Sequence, residues 1–137
     1  MEINLTFNVR PTPHQSVQYR KGFAYTPKRI KDFKKNIVTL AKQQLPKDFQ
    51  MIKSGTEITV EELHYVFRYP TNFSKKKKET FLYRSGRPDL LDNINKAFMD
   101  ALEGVVFEKD ENIVHVKDLQ KYYGPEDMIK IKLSYEW

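Results

Sequence analysis

The chain has 137 residues, no cysteine, and 24 Lys and Arg against 18 Asp and Glu, a formal net charge of +6. The length suits a single domain over 1–137, by the usual prior of ~100–200 residues per domain, and is enough to bury a core of its own. The missing cysteine excludes disulfides, thiolate-bound zinc and a cysteine nucleophile. Plentiful Phe and Tyr argue against a disordered chain. No apolar run approaches the ~18 residues of a membrane span, and the opening MEINLTFNVR is strand-like rather than a signal peptide. A cytoplasmic protein is expected. The basic balance fits a nucleic-acid partner, and equally a merely soluble surface.

Ile3, Leu5, Phe7 and Val9 alternate with polar residues, so 2–9 reads as a half-buried strand. Pro11 and Pro13 end it, and a basic loop follows. Thr26 and Pro27 look like a cap and first helical residue. Ile30, Phe33, Ile37, Leu40 and Ala41 then recur at helical spacing, which predicts a helix over 27–45. Residues 56–69 are rich in strand formers, but the alternation of Ile58 and Val60 resumes out of phase at Leu63, Tyr65 and Phe67. A bulge near Glu61–Glu62 reconciles the halves.

A loop with four consecutive lysines, 75–78, follows. A second helix is predicted over 92–103, stopped by Gly104. Val105–Phe107 and 113–116 read as short extended segments, and Ile129, Ile131, Leu133, Tyr135 and Trp137 alternate without a break. The order β-α-β-α-β-β-β predicts an α+β fold, an α/β sandwich with two helices packed on one mixed sheet.

The second helix carries the chemistry. Ile94, Ala97, Phe98, Ala101 and Leu102 form its apolar stripe, while Asp92, Lys96 and Asp100 fall at i, i+4 and i+8 on another face. An aspartate at a helix start and an i,i+4 ion pair recur on ordinary helices, as a cap and as a pair giving about a few tenths of a kcal/mol. The downstream sequence adds to this: a second acidic cluster, Glu108, Asp110 and Glu111, follows the helix. If the chain folds back to bring Asp110 to the helix start, converging carboxylates repel one another unless a hard divalent cation sits among them. A lysine beside such a site suits phosphodiester hydrolysis.

The stretch RPDLLDNINKAFMDALEGVVFEKDENIV resembles the RusA family of Holliday-junction resolvases, whose pattern is a basic residue, P-D-x-D-N, K-A, D-A-L, G-V and a short acidic cluster with D-x-Q-I. Arg87, Pro88, Asp92, Asn93, Lys96, Ala97, Asp100, Ala101, Leu102, Gly104, Val105, Asp110 and Ile113 match it. YTPKRIKDFKKNIVTLAKQQL is similar to the family's first helix, and RYPTNFSKKKKE to its basic loop. The resemblance implies an endonuclease dependent on Mg²⁺, with Mn²⁺ as a substitute, that cuts four-way DNA junctions as a homodimer. It further implies Asp89, Asp92 and Asp110 as metal ligands and Lys96 as a fourth catalytic residue. The chain departs from the pattern at Asp89-Leu90-Leu91-Asp92, one residue longer than D-x-D. Either a bulge or early helical turn absorbs the extra leucine, or Asp89 is displaced. Lys109 stands where the family often has another acid, and Asn112 where glutamine is common. The small size and the family fit a bacteriophage or prophage origin.

Arg10, Arg20 and Lys21 follow the first strand, and Lys75, Lys76, Lys77, Lys78, Arg84 and Arg87 precede the acidic motif. All nine are candidates for phosphate contacts. Tyr19, Phe23 and Tyr25 are candidates for base stacking, though such aromatics more often anchor a loop. His14, His64 and His115 lack metal-ligand spacing and read as structural or exposed. Two other readings stand beside junction resolution: a DNA-binding protein of the same fold that does not cleave, and a nuclease for other branched DNA.

Overall fold

A computed structural model describes residues 1–13, 18–20, 23–25 and 28–136, with backbone alone at 18–20 and 23–25. In chain order the strands and helices are β1 (Glu2–Phe7), β2 (Gln18–Arg20), β3 (Phe23–Tyr25), α1 (Lys28–Gln44), β4 (Ile58–Arg68), α2 (Lys75–Lys78), α3 (Asn95–Leu102), β5 (Ile113–Val116), β6 (Leu119–Gly124) and β7 (Met128–Tyr135). A π-helical turn, Leu90–Ile94, leads into α3, and a 3₁₀ turn, Asp110–Asn112, leads into β5. This is an α+β fold with a mixed five-stranded sheet. The chain divides into two compact units, Met1–Pro11 with Ser54–Arg87 and Glu111–Trp137, and Thr12–Lys53 with Pro88–Asp110.

The first unit holds the sheet. β7 lies between β1 and β4, antiparallel to both. Its alternating Ile129, Ile131, Leu133 and Tyr135 are all buried, as the sequence pattern predicts. The other edge of β4 is shared by two parallel strands placed end to end, β5 along Ile58–Val60 and β6 along Leu63–Arg68. The expected bulge is present. Val60 faces Leu133 and Glu62 faces Lys132, which leaves Glu61 as the extra residue. That slip lets Ile58 and Val60, then Leu63, Tyr65 and Phe67, point to the same buried face. The Glu61 carboxylate accepts hydrogen bonds from Lys117 Nζ (3.3 Å) and Ser134 Oγ (2.9 Å), which hold its pKa below the usual value.

Three expectations change. Val105–Phe107 is not a strand: it is a turn in which Phe107 makes isolated bridges to Ile52 and Glu103, although Val106 and Phe107 are fully buried. The basic segment after β1 carries two short strands, β2 and β3, paired antiparallel. The lysine run is not a loop but one helical turn, with Ser74 Oγ accepting the Lys77 N–H at 3.1 Å. The cap expected at Thr26 and Pro27 lies outside the described residues, as do Lys21 and His14.

In the second unit α1 packs against α3. α1 buries Ile30, Phe33, Ile37 and Ala41, and α3 buries Ala97, Phe98, Met99, Ala101 and Leu102. Fully burying a ring such as Phe98 contributes roughly 1.5–3 kcal/mol by area transfer. Gly104, at φ +79°, ends the helix in the left-handed conformation that a side chain would strain.

Candidate active site

The Asp89-Leu90-Leu91-Asp92 stretch opens into the π-helical turn, an early helical turn of the kind that could take up the longer spacing. The Ile94 N–H donates to the Asp89 carbonyl at 3.1 Å, a bond spanning one residue more than an α-helical one. Asp89 stands at the N-cap in an extended conformation, and its Oδ1 accepts the Asp92 N–H at 3.1 Å. The two carboxylates therefore share the head of the helix, where the dipole favours negative charge. Leu91, between them, is 79% exposed.

Asp89, Asp92, Lys96 and Asp110 are all exposed. Among the described residues, the Asp92 and Asp110 carboxylates and the Lys96 ammonium have no hydrogen-bond or ion-pair partner, so they are available to a ligand. Asp100, the third member of the polar stripe, is taken up by Lys34, 3.8 Å away.

Asp110 is tied elsewhere. Its N–H donates to Glu103 Oε1 at 2.8 Å, and Glu103 is the C-cap of α3. Glu103 follows Asp92 by eleven positions, through the end of the π-helical turn and the whole of α3, about 16 Å at a helical rise of ~1.5 Å per residue. The structure thus brings Asp89 and Asp92 together and anchors Asp110 at the far end of α3. Among the described residues, no three His, Cys, Asp or Glu form a group able to hold a metal ion. The donor set at the helix head is nonetheless hard oxygen, and Mg²⁺ binds through one or two carboxylates while keeping several waters. Asp89 and Asp92 fit that requirement.

The endodeoxyribonuclease RusA family matches residues 7–134 of the chain. The chain belongs to the RusA family. No curated protein matches it. The RusA match spans both units and the whole acidic motif.

The basic residues of this RusA-family chain are held in several ways. Arg10 and Arg84 both lie over the Phe67 ring, at 5.5 and 4.3 Å from its centroid. Arg10 Nη1 also donates to Asp127 Oδ1 at 3.3 Å, and Arg84 Nε to the Arg87 carbonyl at 2.7 Å. Lys121 Nζ donates to the Gly86 carbonyl. These bonds shape the segment just before the acidic motif. Lys77 lies 4.1 Å from the Phe73 ring centroid and Lys78 6.0 Å from that of Tyr69, while Lys75 and Lys76 are exposed without a partner among the described residues. Arg20 lies at the end of β2, with its side chain outside the described residues.

Sequence reasoning missed a polar cluster on the sheet. His64 Nε2 lies 2.7 Å from Asp118 Oδ2, and His64 Nδ1 lies 3.1 Å from the Tyr122 hydroxyl. Gln120 Nε2 donates to Asp118 Oδ1 at 2.6 Å. Hydrogen bonds from Gln120 and His64 hold the Asp118 pKa below its usual value. His64 alone carried no such signal, because its partners lie on β6 and just before it, more than fifty residues on.

Proposed function

We propose that this protein is a Mg²⁺-dependent endodeoxyribonuclease that resolves four-way DNA junctions by paired phosphodiester hydrolysis, as a homodimer acting in recombination or repair. The reading is carried by the RusA match over residues 7–134, which includes the exposed Asp89 and Asp92 pair with Lys96 following. Asp89 and Asp92 would hold the metal, with Asp110 as a third carboxylate. When bound, Mg²⁺ supplies a polarised phosphoryl oxygen and an acidified water. Lys96 places a free ammonium beside the scissile phosphate and stabilises the charge that develops there. Arg10, Arg84, Arg87, Lys75 and Lys76 hold the DNA backbone without reading sequence.

A homodimer would serve this reading. Asp110 is fixed at the end of α3 opposite Asp92. A two-fold axis can bring Asp110 of one copy to the acidic pair of another. The same symmetry matches a four-way junction and supplies two sites for paired cuts.

Among the described residues Asp110 does not join Asp89 and Asp92 in a group able to hold a metal, which favours a second reading, a protein that binds branched DNA and does not cut it. The deciding experiment incubates a four-way junction with Mg²⁺ and either the native protein or Asp110→Asn. Symmetric nicked duplexes from the native protein alone support the nuclease. Binding by the native protein with no cleavage supports the second reading.

A further inference from the structure

We propose that Phe81 and Tyr83 form a stacking platform for an unpaired nucleobase of branched DNA. The proposal rests on the junction reading above and adds a base contact to its phosphate contacts.

Phe81 and Tyr83 are 57% and 64% exposed, among the largest apolar exposures of the described residues. They stand two residues apart on an extended segment, so both project to one side. The segment is ordered. The Tyr123 N–H donates to the Leu82 carbonyl at 3.0 Å and the Arg84 N–H to the Lys121 carbonyl at 3.2 Å, which lays the segment along the free edge of β6. The rings meet edge to face, with centroids 4.9 Å apart. Phe81 also meets Tyr122 at 5.2 Å. Tyr122 is in turn fixed from behind by the hydrogen-bonded pair of His64 and Asp118. The platform is therefore an aromatic surface carried on a hydrogen-bonded segment and in contact with a third ring, which limits the conformational freedom left to lose on binding.

A single exposed apolar residue is ordinary in a folded chain. Two adjoining rings held in place and open to water are a binding surface in need of an occupant. The charge around them selects it. Lys75 and Lys76 lie just upstream with free ammonium groups, Arg84 follows directly, and Arg10 shares the Phe67 ring with Arg84. A partner with a π-face and a polyanionic backbone satisfies both features, whereas an apolar protein surface leaves the cations unused. Bases inside a continuous duplex present no free face. Bases unstacked at a branch point do.

The test measures binding of native protein, Phe81→Ala/Tyr83→Ala and Phe81→Trp to three DNAs, each by fluorescence anisotropy over a range of salt. The DNAs are a four-way junction with 2-aminopurine at the branch point, an oligo(dT) and a linear duplex. The double variant is expected to lose about tenfold or more in affinity for the junction and oligo(dT), since a stacked base contributes that much. Its duplex affinity and salt slope should match the native protein. Phe81→Trp should bind like the native protein and quench 2-aminopurine at least as strongly. If the double variant melts early, Tyr83→Ser alone is measured on the same three DNAs, and the same losses are expected of it. A variant that binds junction and oligo(dT) as tightly as native protein overturns the platform and leaves the nuclease reading intact. Equal losses on all three DNAs also overturn it. If the native protein binds no DNA, both readings fall.

Discussion

Asp89 caps the turn on which Asp92 stands, its Oδ1 accepting the Asp92 N–H at 3.1 Å. One carboxylate oxygen is thus engaged in structure, leaving the other free for a ligand. The two roles separate by substitution. Asparagine caps a helix about as well as aspartate, whereas alanine does not. Asp89→Asn should melt like the native protein yet lose Mg²⁺-dependent cleavage. Asp89→Ala should lose cleavage and in addition about 1 kcal/mol of stability, read from urea titrations.

The anchoring of Asp110 at Glu103 predicts complementation between copies. Asp92→Asn and Asp110→Asn should each be inactive on a four-way junction. Mixed and allowed to exchange subunits, they should regain cleavage at one of the two sites, since one hybrid site carries both substitutions and the other neither. Nicked junctions in the mixture, absent from either variant alone, are the expected product.

The lysine turn predicts a salt signature. Each phosphate neutralised contributes about −0.9 to the slope of log K against log salt on duplex arms. Replacing Lys75 and Lys76 by glutamate should weaken junction binding and flatten that slope by roughly 2, while the capped turn at Ser74 stays folded by circular dichroism. An unchanged slope would place these ammonium groups away from DNA.

Stability at acid pH should depend on Glu61 and Asp118. Hydrogen bonds from Lys117 and Ser134 lower the first below its ordinary 4.5, and those from Gln120 and His64 lower the second below 3.8. A folded-state pKa below the unfolded one means stabilisation present above the unfolded value and lost as pH falls through the folded one. Thermal midpoints should therefore decline as pH drops through and below the ordinary carboxylate range. Glu61→Gln and Asp118→Asn should each make that decline shallower.

Strong alternation makes β1 and β7 legible in the sequence, and the phase slip in β4 marks its bulge at the Glu61–Glu62 pair. β6 is not legible: from Leu119 to Tyr123 every residue is half-buried, so no two-residue period marks it. Val105–Phe107 misleads for the opposite reason. Val106 and Phe107 are buried, but behind a left-handed glycine that turns the backbone away from a strand. At the candidate site, residue types and spacing can be read from the motif. The place of Asp110 cannot, because its N–H is held by Glu103, a residue with no motif or periodicity to single it out.

The π-helical turn at Leu90–Ile94 makes the head of this helix tolerant of insertion. An added residue inside an α-helix would rotate everything after it by about 100°, enough to carry an apolar stripe into solvent. Here the π-helical turn carries one residue more than an α-helical one, with Leu91 turned out to solvent, and α3 from Asn95 keeps its apolar stripe inward. Ile94, Phe98 and Leu102 remain buried, Asp100 still reaches Lys34, and Lys96 still follows Asp92 by four positions. The acidic head can therefore change in length by a residue without repacking the core that carries it.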